Sequence, residues 1–142
     1  MKLPDINLLI YAIDEASPNH TRAKSWLEQL MSGTEAVGFA WLVLLGFVRI
    51  STNPAALERP LTPSEAVDYI DEWLATPVAS VVEPTFEHAA VLRRLLESVG
   101  TGGDLTSDAH LAALAIEQGA EVCSSDVDFA RFEGLRWTDP LR

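Results

Sequence analysis

Short apolar runs alternate with helical patterns along the whole chain. Ala23, Trp26, Leu27 and Leu30 recur at the spacing of one helix face, which predicts an amphipathic helix. In contrast, the segment from Val37 to Phe39 is apolar without polar alternation and is too short for a helix. Such runs are typical of strands that are covered on both faces in a parallel sheet.

The same reasoning along the chain predicts a first strand that ends at Asp5 and further strands over residues 37–39, 78–82, 121–124 and 135–138. It predicts helices over residues 6–13, 20–31, 41–50, 62–75, 85–99 and 107–118. Pro63 and Glu65 mark a helix start, and Gly119 marks a helix end. Right-handed crossovers between parallel strands then predict an α/β fold, a three-layer α/β/α sandwich around a short, mainly parallel central sheet. We expect residues 1–142 to form a single domain of this kind.

Composition narrows the classes of protein to consider. With 48% apolar residues the chain can build a sizeable core, and it contains no run long enough to span a membrane. The start lacks a signal peptide and Cys123 is the only cysteine, so we expect a cytoplasmic protein. The 21 acids and 10 bases give a net charge of -11, which argues against nucleic-acid binding through a broad basic face. This charge is compatible with an enzyme that holds nucleic acid through metal ions, and with a basic partner.

Four carboxylates fall where strands of the predicted sheet end or where a helix begins beside them. Asp5 ends the first strand, Asp126 and Asp128 follow the strand that ends at residue 124, and Asp108 lies in the first turn of the preceding helix. Ligands of open parallel sheets bind at this edge. Like charges so close are unfavourable unless a cation neutralises them, and Mg²⁺ and Mn²⁺ prefer oxygen ligands. Such a cluster can activate water and stabilise a phosphodiester transition state.

Each acid also has a simpler interpretation when it is taken alone. Asp108 could only complement a helix dipole, and Asp126 or Asp128 could only be turn residues. Asp5 lies within an apolar run, where an unpaired carboxylate costs several kcal/mol, so a functional role is favoured for it.

Several polar residues near these acids leave two interpretations open. Asn7 could hydrogen-bond to the site or cap a helix, and Ser124 could orient a carboxylate or simply end its strand. The histidines have no zinc-ligand spacing with cysteine. His20 is typical of a helix start, His88 is expected on a solvated helix, and His110 is expected to be a partly exposed helix residue.

Four segments resemble one family, the PIN-domain ribonucleases, and within it the VapC toxins of bacterial toxin–antitoxin systems. They are PDINLLIYA, HTRAKSWL, FAWLVLLGFVRISTNP and SDAHLAALAIEQGAEVCSSDVDFARFEGLRW, which together extend along essentially the whole chain. The last segment is the most specific, because its DAHLAALAIEQGAE is followed by the Ser-x-Asp-x-Asp-Phe pattern. The first segment alone would be weak evidence.

The resemblance implies a hydrolase, a Mg²⁺- or Mn²⁺-dependent ribonuclease that cleaves RNA with a ring of acids. Carried over, the catalytic and metal-binding acids are Asp5, Asp108 and Asp126. Asp128 is an accessory acid, and Ser124 matches the family's Ser or Thr two residues before the last acid.

One position departs from the family pattern. Gly46, followed by Phe47, lies where the family usually places a glutamate on the middle helix, so the ring is short by one acid. Arg49, three residues further on, could face the site and hold an RNA phosphate, or could pair with a carboxylate.

The resemblance also implies partners. VapC toxins are commonly homodimers, act on structured RNA such as transfer or ribosomal RNA, and are neutralised by a VapB antitoxin whose C-terminal tail occupies the acidic groove. The apolar helix from Trp41 to Ile50, with Trp26 and Leu30, would suit such an interface. These residues could equally belong to the core.

Two other functions remain as alternatives. A non-catalytic PIN-like module that only binds a protein is supported by Gly46. A phosphate-handling receiver or HAD-like domain fits less well: a receiver needs an aspartate after the middle strand, where the chain has Glu83-Pro84, and a lysine late in the chain, where none follows Lys24. A HAD phosphatase needs Asp-x-Asp on its first strand, where this chain has Asp5-Ile6-Asn7.

Overall fold

The computed structural model describes all residues 1–142, and a parallel sheet lies at its centre. The strands are β1 (Lys2–Pro4), β2 (Val37–Phe39), β3 (Ala79–Val81), β4 (Glu121–Cys123) and β5 (Arg136–Thr138). The helices are α1 (Ile6–Ile13), α2 (His20–Met31), α3 (Trp41–Ser51), α4 (Pro63–Leu74), α5 (His88–Val99) and α6 (Thr106–Gln118). Two short 3₁₀ turns lie at Gly103–Leu105 and Val127–Arg131. The predicted α/β fold is confirmed.

The order of the strands determines which residues meet at the sheet edge. The order is β3-β2-β1-β4-β5, and every neighbouring pair is parallel. In β1 and β4, which are neighbours, Leu3 pairs with Val122 and Pro4 with Cys123. The residues just beyond these strands therefore lie side by side at the carboxyl edge, although they are far apart in sequence.

One hydrophobic core of 32 buried residues holds the helices on the sheet. On α6, Ala109, Ala112, Ala113 and Ala115 are all buried. Their small side chains let the helix backbone lie close to its neighbours, which fixes the first turn of α6 relative to the sheet.

Aromatic side chains join α3 and α4 to the middle of the sheet. Trp73 of α4 stacks on Phe39 of β2 with ring centroids 6.0 Å apart, and it meets Phe47 of α3 edge-on at 4.8 Å. The predicted start of α4 is also confirmed, because Thr62 and Glu65 form a reciprocal capping box.

The start of α5 differs from the prediction. The helix begins at His88 rather than at residue 85, because the backbone N–H and the hydroxyl of Thr85 both donate to Glu117. Thr85 is thus held in a turn outside the helix. No helix of the chain combines the length and the apolar character that crossing a membrane requires.

Candidate metal centre

Asp5 joins the first strand to the first helix at the carboxyl edge of the sheet. Its N–H donates to the carbonyl of Cys123 on the neighbouring strand, at 2.9 Å. Its side chain caps α1, because Oδ1 accepts from the N–H of Ile6 at 2.8 Å. Asp5 is only 9% exposed, so this carboxylate is fixed by its contacts before any ligand binds.

Ser124 is the hub of the hydrogen bonds around Asp5. The fully buried Ser124 hydroxyl donates to Asp5 Oδ2 at 2.7 Å. Ser124 Oγ in turn accepts from Asn7 Nδ2 at 3.2 Å and from the Asp126 N–H at 3.0 Å. Ser124 therefore hydrogen-bonds to Asp5, Asn7 and Asp126 rather than only ending its strand, and Asp5, not Asn7, caps the helix.

A second group of carboxylates lies at the same edge. Asp108 in the first turn of α6 meets Asp126 and Asp128, with one oxygen from each within 4.8 Å of the others. We call these three residues the acidic cluster. Asp126 also caps the following 3₁₀ turn, since its Oδ1 accepts from the Asp128 N–H at 2.9 Å. Arg131 forms an ion pair with the cluster, since its Nη1 lies 4.0 Å from Asp128 Oδ1.

Proton affinities reflect the crowding of these negative charges. Burial raises the pKa of Asp5, against the hydrogen bonds from Ser124 and Ile6, and the charge of Asp126 raises it further. Burial, together with the charges of Asp5, Asp126 and Asp128, raises the pKa of Asp108 to about 6. Asp5 thus belongs electrostatically with the acidic cluster.

The donor set suits a hard divalent cation. Every ligand atom at this edge is an oxygen, which is the preference of Mg²⁺ and Mn²⁺. In addition, Asn7 Oδ1 is buried without a hydrogen-bond partner. Nδ2 must face Ser124, whose single proton already goes to Asp5, so the unpaired oxygen is left to accept from a water or a ligand.

Position 46 contributes nothing to this centre. Gly46 is buried on α3, and a Cβ atom added there would lie 2.3 Å from Cδ1 of Ile6. Ile6 follows Asp5 directly, so its side chain fills the space into which a longer side chain would have to enter. Arg49 lies exposed in the last turn of α3 and makes neither an ion pair nor a side-chain hydrogen bond with these acids.

Asp128, which was predicted as an accessory acid, lies in the acidic cluster with Asp108 and Asp126. One residue, His88, differs from its expectation. His88 was expected on a solvated helix face, and this was wrong: its side chain is only 14% exposed and contacts Glu117 and His110. No spacing in the sequence indicates this contact, because the partners lie 22 and 29 residues away.

Comparison with known proteins places the chain in a family. The family model of the PIN domain matches residues 2–135. The chain belongs to the PIN domain family. Among curated relatives of this PIN-domain protein, Ribonuclease VapC37 of Mycobacterium tuberculosis (strain ATCC 25618 / H37Rv) is 48% identical over 140 residues, which are 99% of this chain and 97% of the relative. Ribonuclease VapC33 of the same strain is 43% identical over 142 residues, which are 100% and 99% of the two chains.

Solved structures confirm the PIN fold. VapBC2 from Rickettsia felis, bound to a DNA fragment from its promoter, aligns with a TM-score of 0.70 and 18% identity over 96% of each chain. Mycobacterium tuberculosis VapC20, described as a Sarcin-Ricin loop cleaving toxin, aligns with a TM-score of 0.69 and 17% identity over 96% of this chain and 99% of its own. The predicted resemblance to VapC proteins is therefore confirmed.

Proposed function

We propose that this PIN-domain protein is a metal-dependent ribonuclease and the toxin of a VapBC-type toxin–antitoxin pair. The observation that carries the proposal is the convergence of Asp5 with Asp108, Asp126 and Asp128 at one edge of the sheet. The names of the relatives, which are ribonucleases, support the same activity.

Asp5, Asp108 and Asp126 are the residues that would hold Mg²⁺ or Mn²⁺, with Asp128 beside them. Such an ion, when bound, activates water and neutralises charge on a phosphodiester. The protein's own part is to keep the ligands in place. Ser124 holds Asp5 through its hydroxyl, and the turn capped by Asp126 fixes Asp128. Asn7 Oδ1, which is buried without a hydrogen-bond partner, is left to accept from a water beside the site.

Cleavage of defined RNA by the Asp5→Asn variant tests this proposal. We expect the variant to lose at least about 100-fold in rate while it stays folded, because Asn keeps the shape but not the charge of a metal ligand. The matched control is Asp68→Asn, which changes an exposed aspartate on α4 and should leave the rate unchanged.

Unchanged cleavage by Asp5→Asn, at equal folded concentration, would contradict the assignment. The wild-type protein should cleave RNA in Mg²⁺ and stop when EDTA removes the metal. If it shows no such metal-dependent cleavage, the alternative of a non-catalytic protein-binding module is favoured instead. Circular dichroism of each variant separates a lost ligand from a lost fold.

The proposed partners are a VapB-type antitoxin and a structured RNA, such as transfer or ribosomal RNA, in the cytoplasm. Neighbouring structures contain VapBC complexes, and a net charge of -11 suits an antitoxin segment that is basic. Such a segment would be drawn to the same carboxylates as the metal ion, so bound antitoxin would compete with catalysis.

We also propose that the protein forms a homodimer through α3. Trp41 and Leu45, one turn apart, are 45% and 61% exposed, whereas Trp26 and Leu30 pack against the core. An apolar pair exposed on one helix face favours burial against a second copy. Sedimentation should show that Leu45→Glu shifts a dimer towards monomer while the control Val67→Glu, at an exposed position on α4, does not.

A further inference from the structure

A chain of hydrogen bonds outside the acidic cluster joins α5 to α6. Glu117 Oε2 contacts His88 Nδ1 at 2.5 Å, and His88 Nε2 contacts His110 Nδ1 at 2.9 Å. The two imidazole rings meet nearly edge to face, with centroids 4.8 Å apart. No step of the proposed RNA cleavage uses these side chains.

The charge of Glu117 decides which ring nitrogen of His88 carries a proton. Although burial raises the pKa of Glu117, hydrogen bonds from Thr85 and His88 hold it below its ordinary value, so the group is a carboxylate. The carboxylate accepts the Nδ1–H of His88. In the neutral ring this leaves a lone pair on Nε2, which faces His110.

We propose that His88 and His110 form a binding site for a borderline transition-metal ion of the Zn²⁺ or Ni²⁺ class. A histidine that ligates such a metal commonly donates its other N–H to a carboxylate, and Glu117 already gives His88 this partner. Imidazole nitrogens suit these ions, whereas Mg²⁺ prefers the oxygens of the acidic cluster.

The distance between His88 Nε2 and His110 Nδ1 is close to the separation of two nitrogen ligands on one metal ion. Two nitrogens at about 2.05 Å from a tetrahedral Zn²⁺ lie roughly 3.3 Å apart. At the present separation of 2.9 Å, His110 Nδ1–H donates to His88 Nε2. Metal binding therefore requires that neutral His110 carry its proton on Nε2 instead and that the two nitrogens move about 0.4 Å further apart. Glu117 pins His88, so the adjustment falls on His110, which is only partly buried. Water would complete the coordination of the ion.

Calorimetric titration of the wild-type protein with Zn²⁺, in the presence of millimolar Mg²⁺, tests the proposal. We expect one Zn²⁺ site that weakens at least about 10-fold in His88→Gln and in His110→Gln. Glu117→Gln keeps both ligands and should weaken the site by about 10- to 100-fold, because the orienting charge is lost.

Two controls separate this site from others in the chain. His20→Gln removes the third histidine, whose Nδ1 contacts the carbonyl of Tyr11, and should leave Zn²⁺ affinity unchanged. Asp126→Asn alters the acidic cluster and should also leave it unchanged. If Asp126→Asn removes the site while His88→Gln keeps it, Zn²⁺ is held by the acidic cluster and the proposal is overturned.

A measurement on the wild-type protein guards against variants that fail to fold. Zn²⁺ should shift the ring-nitrogen resonances of His88 Nε2 and His110 Nδ1 in an NMR spectrum and leave those of His20 in place. Unshifted resonances of His88 and His110 at saturating Zn²⁺ would overturn the proposal. Because the readout is metal affinity, its failure is distinct from failure of the proposed ribonuclease activity.

Discussion

A single hydroxyl organises the charged residues at the edge of the sheet. Ser124 gives its proton to Asp5 and accepts two N–H groups, so every hydrogen-bonding position on this buried oxygen is used. Hydrogen bonds partly offset the burial of the Asp5 carboxylate, whereas the acidic cluster has a single ion pair, in which Arg131 Nη1 lies 4.0 Å from Asp128. The uncompensated part of the charge lies where a cation would bind.

The stability of Asp126→Asn tests whether Asp126 is held for a cation. Asn keeps the oxygen that caps the 3₁₀ turn and removes one of three crowded charges. In EDTA we expect the variant to be more stable than wild type by about 0.5 to 2 kcal/mol, while stabilisation by Mg²⁺ should shrink. Thermal melts of both proteins in EDTA and in Mg²⁺ measure this.

A turn aspartate predicts the opposite sign for the same variant. If Asp126→Asn is less stable in EDTA and responds to Mg²⁺ as wild type does, the carboxylate serves the turn alone. Asp68→Asn again provides the control for the loss of a surface charge.

Asp108 gives the site a pH dependence that can be isolated by substitution. Its pKa of about 6 lies above its ordinary value of 3.8, so the folded state holds this proton more tightly than the unfolded state does. As pH rises from about 4 to about 6, deprotonation therefore costs folded stability. The change for this half-buried group is on the order of 1 kcal/mol after solvent screening.

Urea unfolding of wild type and Asp108→Asn in EDTA, at pH 4 and pH 7, measures this difference. The variant should gain stability relative to wild type as pH rises. Comparing the two proteins cancels the contributions of titrating groups that do not interact with Asp108. A difference that stays constant with pH would show that Asp108 titrates normally. Mg²⁺ affinity of wild type should fall below about pH 6, where protons compete for the same oxygen.

At the scale of elements, local pattern predicted nearly all helices and strands, but it could not predict their order in the sheet. Asp5 and Ser124 meet because β1 and β4 are neighbours, a consequence of packing rather than of periodicity. The start of α5 was missed for a similar reason. Glu117, more than thirty residues away, holds Thr85 in a turn that its sequence alone does not require.

Gly46 is explained by the packing of α3 against α1. The clash of an added Cβ with Ile6 Cδ1 predicts that Gly46→Ala destabilises the protein by about 1 to 2 kcal/mol, although alanine is the better helix former. Ile6→Val removes the clashing Cδ1 atom. In the Ile6→Val background, Gly46→Ala should therefore cost about 1 kcal/mol less, as a double-mutant cycle of denaturant unfolding can measure.

If Gly46→Ala instead costs the same unfolding free energy with Ile6 as with Val at position 6, the cycle shows that Ile6 does not exclude side chains from position 46. The missing acid would then need another explanation than packing. The family comparison predicted which position lacks an acid, but only the contact with Ile6 gives a physical reason for the glycine.

For the whole molecule, the net charge of -11 sets the long-range interaction with RNA. Both partners are negative, so their approach is opposed at low ionic strength and depends on local contacts and on divalent ions. A protein that binds nucleic acid through many lysines and arginines behaves differently, because salt weakens its binding steeply.

This difference predicts an unusual salt dependence of cleavage. At fixed, saturating Mg²⁺, raising NaCl from about 20 to 200 mM shortens the Debye length from roughly 20 to 7 Å and screens the repulsion. We expect kcat/KM to stay level or rise over this range, as measured by initial rates on a short RNA. A decline with a logarithmic slope steeper than about -3 would show that several phosphate–cation contacts dominate binding. In that case exposed arginines such as Arg49 would hold the RNA, and the acidic surface would have little influence on its approach.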